Sequence, residues 1–206
     1  LENWGLKVVL GRSVFNVHGI FAGTDAERIN DFNAMIHDDS IKAVFCSRGG
    51  YGAARILPNI DTNYLIKNPK WIIGFSDVTV MHAGFNNLSL CTIHGVMPNS
   101  FAKTHTHSLQ SLREALFCKQ LVYSLPHHQL NQYGNVTGKL VGGNLSILYS
   151  LRGTPFELSI DETILFIEDV GEKLYHLDRM MVNFHLSNIF TRIRGLIVGG
   201  FSDMTE

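Results

Sequence analysis

The chain has 206 residues, of which 45% are apolar and 17% charged, and its 17 basic and 18 acidic residues give a formal net charge of −1. This composition is typical of a folded protein with one or two domains, and it excludes a disordered tail. Because no long run carries one sign of charge, nucleic acid and membrane surfaces are not expected partners.

The cysteines and the chain ends bear on the compartment. Cys46, Cys91 and Cys118 are too few and too scattered for a disulfide framework or a four-ligand zinc site. No stretch has the roughly 18 apolar residues that cross a bilayer, and residues 1–11 do not resemble a signal peptide. We therefore expect a cytoplasmic protein. Since the chain starts with Leu1 and stops directly after a predicted strand, we also expect it to be a fragment.

Short β-branched and aromatic runs alternate with stretches of helical period, which predicts an α/β fold with a doubly wound, Rossmann-like parallel sheet in the N-terminal part. Thr24 and Glu27 have the spacing of a capping box and mark the start of the first helix. The predicted N-terminal elements are a strand at 7–10, a helix from 24 to about 37, a strand at 41–46, a helix at 53–57, a strand at 71–73, a helix at 78–85 and a strand at 90–93.

From about residue 98 to 132 the pattern weakens, and one helix is predicted there, at 109–117. We expect an N-terminal domain at 1–100, a connecting segment at 101–136 and an incomplete C-terminal α/β domain at 137–206. The predicted elements of this last part are a strand at 138–141, a helix at 145–151 capped by Asn144, a strand at 163–167, a helix across 174–184 and a strand at 196–198.

The most informative segment is the strand that runs through Gly74-Phe75-Ser76 directly into a helix. A tight strand-to-helix turn of this kind projects a serine hydroxyl above the edge of a sheet, next to helix N-terminal amides that stabilise an oxyanion. The second glycine of the G-x-S-x-G pattern is replaced by Val78. An alternative is therefore open, in which Ser76 and Asp77 only cap the helix.

Two further segments follow predicted strands. The glycines of Arg48-Gly49-Gly50-Tyr51-Gly52 leave the backbone free to turn amides toward an anion, although a tight turn without a ligand explains them equally well. Glu168 ends a strand, where a carboxylate can orient a histidine, but acidic residues are also common at strand ends because they are solvated there.

In this order, the segments resemble the LD-carboxypeptidase family of serine peptidases, a type that includes self-immunity peptidases. The resemblance covers nearly the whole chain. The blocks that carry it are 23–28, 47–55, 74–77, 94–95, 142–145, 165–169 and 178–180.

The resemblance implies release of a terminal D-alanine from the L-configured centre of a cell-wall tetrapeptide, in peptidoglycan recycling, with a muropeptide as substrate and no metal or organic cofactor. A homodimer is left open. The implied roles are the nucleophile for Ser76, the triad acid for Glu168, oxyanion-hole amides for Gly50 and Asp77, and substrate-lining positions for Gly49, Tyr51 and His94.

The family's catalytic histidine lies downstream of a strand like 196–200, so we expect it beyond Glu206 and expect these 206 residues alone to be a poor enzyme. His82 lies inside the helix that follows Ser76 and is expected to be a packed residue, whereas His94 has the better location for a substitute base. The paired histidines at 105, 107, 127 and 128 are interpreted as exposed linker residues. Two other readings are kept: a self-immunity peptidase that cleaves a peptidyl-nucleotide antibiotic, and a non-catalytic muropeptide-binding protein.

Overall fold

Two three-stranded parallel sheets organise the chain in the computed structural model, which describes residues 1–206. The strands of the first sheet are β1 (Ala43–Phe45), β2 (Trp71–Gly74) and β3 (Ile93–His94), and those of the second are β4 (Lys139–Asn144), β5 (Thr163–Val170) and β6 (Gly195–Ser202). The predicted α/β class is confirmed. Both sheets follow chain order, so the reversal of strand order that defines a doubly wound sheet does not occur among these strands.

Eight α-helices connect and cover the sheets. They are α1 (Asp25–His37), α2 (Ala53–Ile56), α3 (Thr62–Lys67), α4 (Thr79–Asn87), α5 (Thr106–Leu116), α6 (Leu145–Ser150), α7 (Leu174–Leu186) and α8 (Ile189–Arg192). The capping box is confirmed, since the Thr24 hydroxyl accepts from the Glu27 amide and the Glu27 carboxylate accepts from the Thr24 amide. Asn144 caps α6 as predicted, because its side-chain oxygen accepts from the amide of Ile147. No helix is long and apolar enough to cross a membrane.

The prediction of a strand at 7–10 is wrong. This segment forms no regular element and pairs with no strand, and Val8, Val9 and Leu10 are exposed. A strand needs a neighbour for its backbone hydrogen bonds, and β1 pairs only with β2. The strand predicted at 90–93 is reduced to Ile93–His94 for the same reason, because only those residues align with the end of β2.

Two helices were missed, α3 and α8. They have six and four residues, too few to show a helical period. A local signal exists for α3, since the Asp61 carboxylate accepts from the amide of Tyr64 and caps it. No helix or strand occurs between Lys119 and Gly138.

The two sheets meet where α4 packs against the end of β4. Gly143 has a φ of +146° there, and a side chain at this position would lie 2.6 Å from the Thr79 hydroxyl. That hydroxyl accepts a buried hydrogen bond of 3.0 Å from the amide of Asn144. Glycine is therefore required for this close approach, which brings the carboxyl ends of both sheets together.

Candidate active site

Ser76 lies on the tight turn between β2 and α4. Its φ of +61° is in the left-handed region, which residues other than glycine adopt rarely, and a short 3₁₀ turn of Ser76–Val78 follows it. Gly74 permits this turn, because a side chain there would lie 2.7 Å from the Val78 side chain. The half-buried serine thus occupies the strained strand-to-helix turn that the Gly-x-Ser spacing predicts.

The glycine loop, residues 48–52 after β1, packs directly on this turn. A side chain at Gly49 would lie 3.2 Å from Ser76 Oγ. Because glycine has no side chain, it leaves the hydroxyl accessible. Gly50 and Gly52 have φ values of +129° and +120°, which orient the loop as no L-residue does readily. The amides of Gly50 and Asp77 make no hydrogen bond within the chain. Both are therefore free to donate to an oxyanion.

Asp77 fixes the loop through its side chain. Its buried carboxylate accepts a 2.8 Å hydrogen bond from the amide of Ala53, at the end of the loop. On the other side, the Arg28 guanidinium donates to the carbonyl of Gly52. Burial raises the pKa of Asp77, although the hydrogen bond from Ala53 opposes this shift. Sequence reasoning considered the amide of Asp77 and a helix-capping role for the residue, and missed this contact of its carboxylate with the loop.

Three acidic residues near the end of β5 differ in their partners. Asp169 is 2% exposed and accepts from the Asn144 side chain and from the amides of Ser146 and Val170. Its hydrogen-bonding capacity is thus used in joining β5 to β4 and α6. Glu172 pairs with His176 one helical turn further on, at 2.5 Å.

Glu168 has one carboxylate oxygen without a hydrogen bond. Its side chain is 18% exposed, and Oε1 is buried with no hydrogen bond. Burial raises the pKa of Glu168 and the neighbouring charge of Asp169 raises it further, whereas the side chain of Asn144 opposes this shift. A buried carboxylate oxygen without a donor is rare in folded proteins, so this atom is poised to accept from a group that approaches it.

His94 lies beside that oxygen. Its Nε2 is 3.8 Å from Glu168 Oε1, too far for a hydrogen bond, and its ring lies edge-on to Phe166 of β5 at 5.3 Å. In the first sheet His94 is aligned with Gly74, two residues before Ser76. Burial lowers the pKa of His94 to about 4, so the imidazole is neutral at pH 7. His94 therefore links the two halves of the predicted site.

His82 is a packed residue, as expected, and it also holds the turn. It is 4% exposed, with Nε2 2.9 Å from the carbonyl oxygen of Gly74 and Nδ1 2.8 Å from the Thr92 hydroxyl. Because a carbonyl only accepts, Nε2 carries the hydrogen and Nδ1 accepts from Thr92. No local pattern in the sequence indicates this contact. The four histidines at 105, 107, 127 and 128 are exposed, as expected for linker residues.

A cleft of about 500 Å³ lies beside the glycine loop. Gly49, Gly50, Tyr51 and Asp77 line it, together with residues 14–17 and 19–22. Tyr51 is 63% exposed, and its ring packs against Phe21 at 5.8 Å. The structure thus gathers the predicted oxyanion donors and two of the predicted substrate-lining residues around one cleft of ligand size.

A strained serine at a strand-to-helix turn, free amides next to it and a carboxylate at the end of a strand of the second sheet are the groups that a serine hydrolase site requires. Comparison with known proteins identifies the family. Residues 1–95 match the N-terminal domain of LD-carboxypeptidases, and residues 137–206 match their C-terminal domain. The chain belongs to the LD-carboxypeptidase family.

Individual relatives agree with this assignment. The chain is 38% identical to a probable murein peptide carboxypeptidase of Bacillus subtilis over 98% of its own length and 65% of that protein. The structure of the muramoyltetrapeptide carboxypeptidase from Oxalobacter formigenes matches with a TM-score of 0.87 at 29% identity, covering 100% of this chain and 71% of that one. A structure of MccF with glutamyl sulfamoyl guanosine matches with a TM-score of 0.88 at 26% identity and the same coverage. The chain therefore spans about two thirds of the length of its curated relatives.

Proposed function

We propose that the chain supplies the nucleophile and the acidic residue of a serine LD-carboxypeptidase that releases D-alanine from murein tetrapeptides. The observation that carries this proposal is the left-handed backbone of Ser76 beside the free amides of Gly50 and Asp77. The names of the Bacillus and Oxalobacter relatives support the substrate class. A role in peptidoglycan recycling in the cytoplasm follows from that substrate as part of the proposal.

In the proposed reaction, the Ser76 hydroxyl attacks the carbonyl that precedes the terminal D-alanine. The amides of Gly50 and Asp77 stabilise the oxygen that becomes negative. A histidine accepts the serine proton and then delivers it to the amino group that leaves, while Glu168 holds that histidine in the correct tautomer. Water then hydrolyses the acyl-enzyme and releases the shortened peptide.

The proposal places this histidine in the part of the family's length that the chain does not span. The free oxygen of Glu168 is available to it. His94 is the substitute within the chain, since its Nε2 already lies 3.8 Å from that oxygen. A base with a pKa near 4 accepts a proton weakly at neutral pH, which favours the external histidine.

The test measures D-alanine release from a murein tetrapeptide by residues 1–206 and by the longest product of the reading frame that encodes them. Release by the longer product alone supports a histidine beyond Glu206, whereas equal release by both places the base within residues 1–206, with His94 the first candidate to mutate. If neither releases D-alanine, or if Ser76→Ala retains activity, the proposed reaction is refuted.

The likeness to MccF supports a second candidate, a self-immunity peptidase that acts on an aminoacyl sulfamoyl nucleoside. Both candidates use the same serine and carboxylate, so mutations at these residues do not separate them. Parallel assays with the tetrapeptide and with glutamyl sulfamoyl adenosine do separate them, because each reaction releases a different product.

A further inference from the structure

Arg48 lies on the glycine loop, between the end of β1 and Gly49. The residue is exposed and forms no salt bridge. Its only hydrogen bond runs from Nε to the carbonyl of Gly49, at 3.3 Å. A guanidinium has five N–H donors, so four remain available for a ligand.

The guanidinium is folded back over Gly50. A side chain at Gly50 would lie 3.6 Å from Nη2 and 3.9 Å from Nε of Arg48. The amide of Gly50 is one of the two proposed oxyanion donors. The free cation therefore lies beside the loop residue that carries one of the two proposed oxyanion donors.

The other charged residues of the cleft are already engaged. Three charged side chains line it, those of Arg28, Arg48 and Asp77. Arg28 forms an ion pair with Asp25, and Asp77 accepts from a backbone amide. Arg48 is consequently the one unpaired charge in the cleft, and it favours an anionic group at that point.

We infer that Arg48 binds the C-terminal carboxylate of the substrate and so makes the site specific for the last peptide bond. This inference rests on the proposed function. In a peptide that ends in D-alanine, the carboxylate lies one residue beyond the scissile carbonyl, so a cation next to Gly50 is placed near it. The planar fork of arginine can hold both carboxylate oxygens, and a terminal amide would lose the ionic part of this contact.

The experiment measures binding rather than turnover, so that it does not depend on the general base. All proteins carry Ser76→Ala, and calorimetry compares a murein tetrapeptide with the same peptide ending in D-alanine amide. We expect the parent to bind the peptide with the free carboxylate at least about tenfold more tightly than the peptide amide. A charge-assisted hydrogen bond accounts for a difference of this size. Adding Arg48→Gln should bring this ratio close to one while leaving binding of the amide within about threefold.

Arg113→Gln is the matched control, because it removes the same charge from the remote helix α5 and should keep the preference for the acid. Equal binding of the two peptides by the parent overturns the inference, as does an unchanged ratio in Arg48→Gln. If Arg48→Gln weakens binding of both peptides equally, Arg48 only holds the loop in place. This result also overturns the inference. If the parent binds neither peptide, the proposed substrate class fails first and the inference fails with it.

Discussion

Replacing His82 with leucine tests how the turn at Ser76 is held. Leucine has a similar volume but removes two hydrogen bonds, one to the Gly74 carbonyl and one from the Thr92 hydroxyl. Gly74 keeps a partner, since its oxygen also accepts from the amide of Gly95. Each lost bond is worth about 0.5–1.5 kcal/mol, and the Thr92 hydroxyl loses its acceptor in a half-buried position. We therefore expect the free energy of unfolding to fall by about 2–3 kcal/mol at pH 7.5.

Urea denaturation measures this change, and Thr92→Val provides the partner for a double-mutant cycle. Thr92→Val alone should lower the free energy of unfolding by about 1 kcal/mol. The double variant should lose about 1 kcal/mol less than the sum of the two single losses, because both substitutions remove the same hydrogen bond. Additive losses would show that the two side chains do not interact.

The stability difference between the parent and His82→Leu should depend on pH. Burial lowers the pKa of His82, so below its unfolded value of about 6.5 the unfolded chain binds a proton that the folded chain does not. The stability that neutral His82 contributes is complete above pH 6.5 and is lost as the pH falls toward the lowered pKa. The difference between parent and His82→Leu should therefore be largest above pH 6.5 and shrink at pH 5. A difference that is constant from pH 5 to 8, or below about 0.5 kcal/mol at pH 7.5, would show that His82 does not stabilise the turn in this way.

Three further substitutions, two of them with a comparison variant, test the site and the contact between the sheets. In the form of the protein that releases D-alanine, Ser76→Ala should reduce kcat by about a thousandfold or more while circular dichroism shows an unchanged fold. Glu168→Gln should also lose most of kcat, whereas Glu172→Gln should stay near the parent; the opposite result would identify Glu172 as the acid. Gly143→Ala should destabilise the chain by about 2–4 kcal/mol in urea, because its φ is +146° and its neighbour is too close, while Gly200→Ala, with open space around it, should cost under about 1 kcal/mol.

Local signals in the sequence were sufficient where the structure depends on neighbouring residues. The capping box of Thr24 and Glu27 and the cap by Asn144 each involve residues three positions apart, so spacing alone predicts them. The turn at Ser76 is similarly local, because a strand, a glycine and a helix follow one another within a few residues.

Long-range contacts could not be predicted in this way. A run such as 7–10 has the composition of a strand, but whether it becomes one depends on a pairing partner that its own residues do not specify. The position of His82 inside the helix correctly predicted a packed residue. It could not show that the imidazole reaches the Gly74 carbonyl, because that contact depends on where β2 lies beside α4.

Glu168 and Asp169 are adjacent carboxylates of β5 with different roles, because successive residues of a strand lie on opposite faces of the sheet. The two side chains therefore cannot both face the first sheet. Asp169 points inward to Asn144 and the start of α6, and it is fully engaged there. Glu168 consequently points toward His94, and its buried oxygen remains without a donor. A shift of register by one residue would exchange these environments, so the pairing of Asn144 with Glu168 between β4 and β5 determines which carboxylate is available for chemistry.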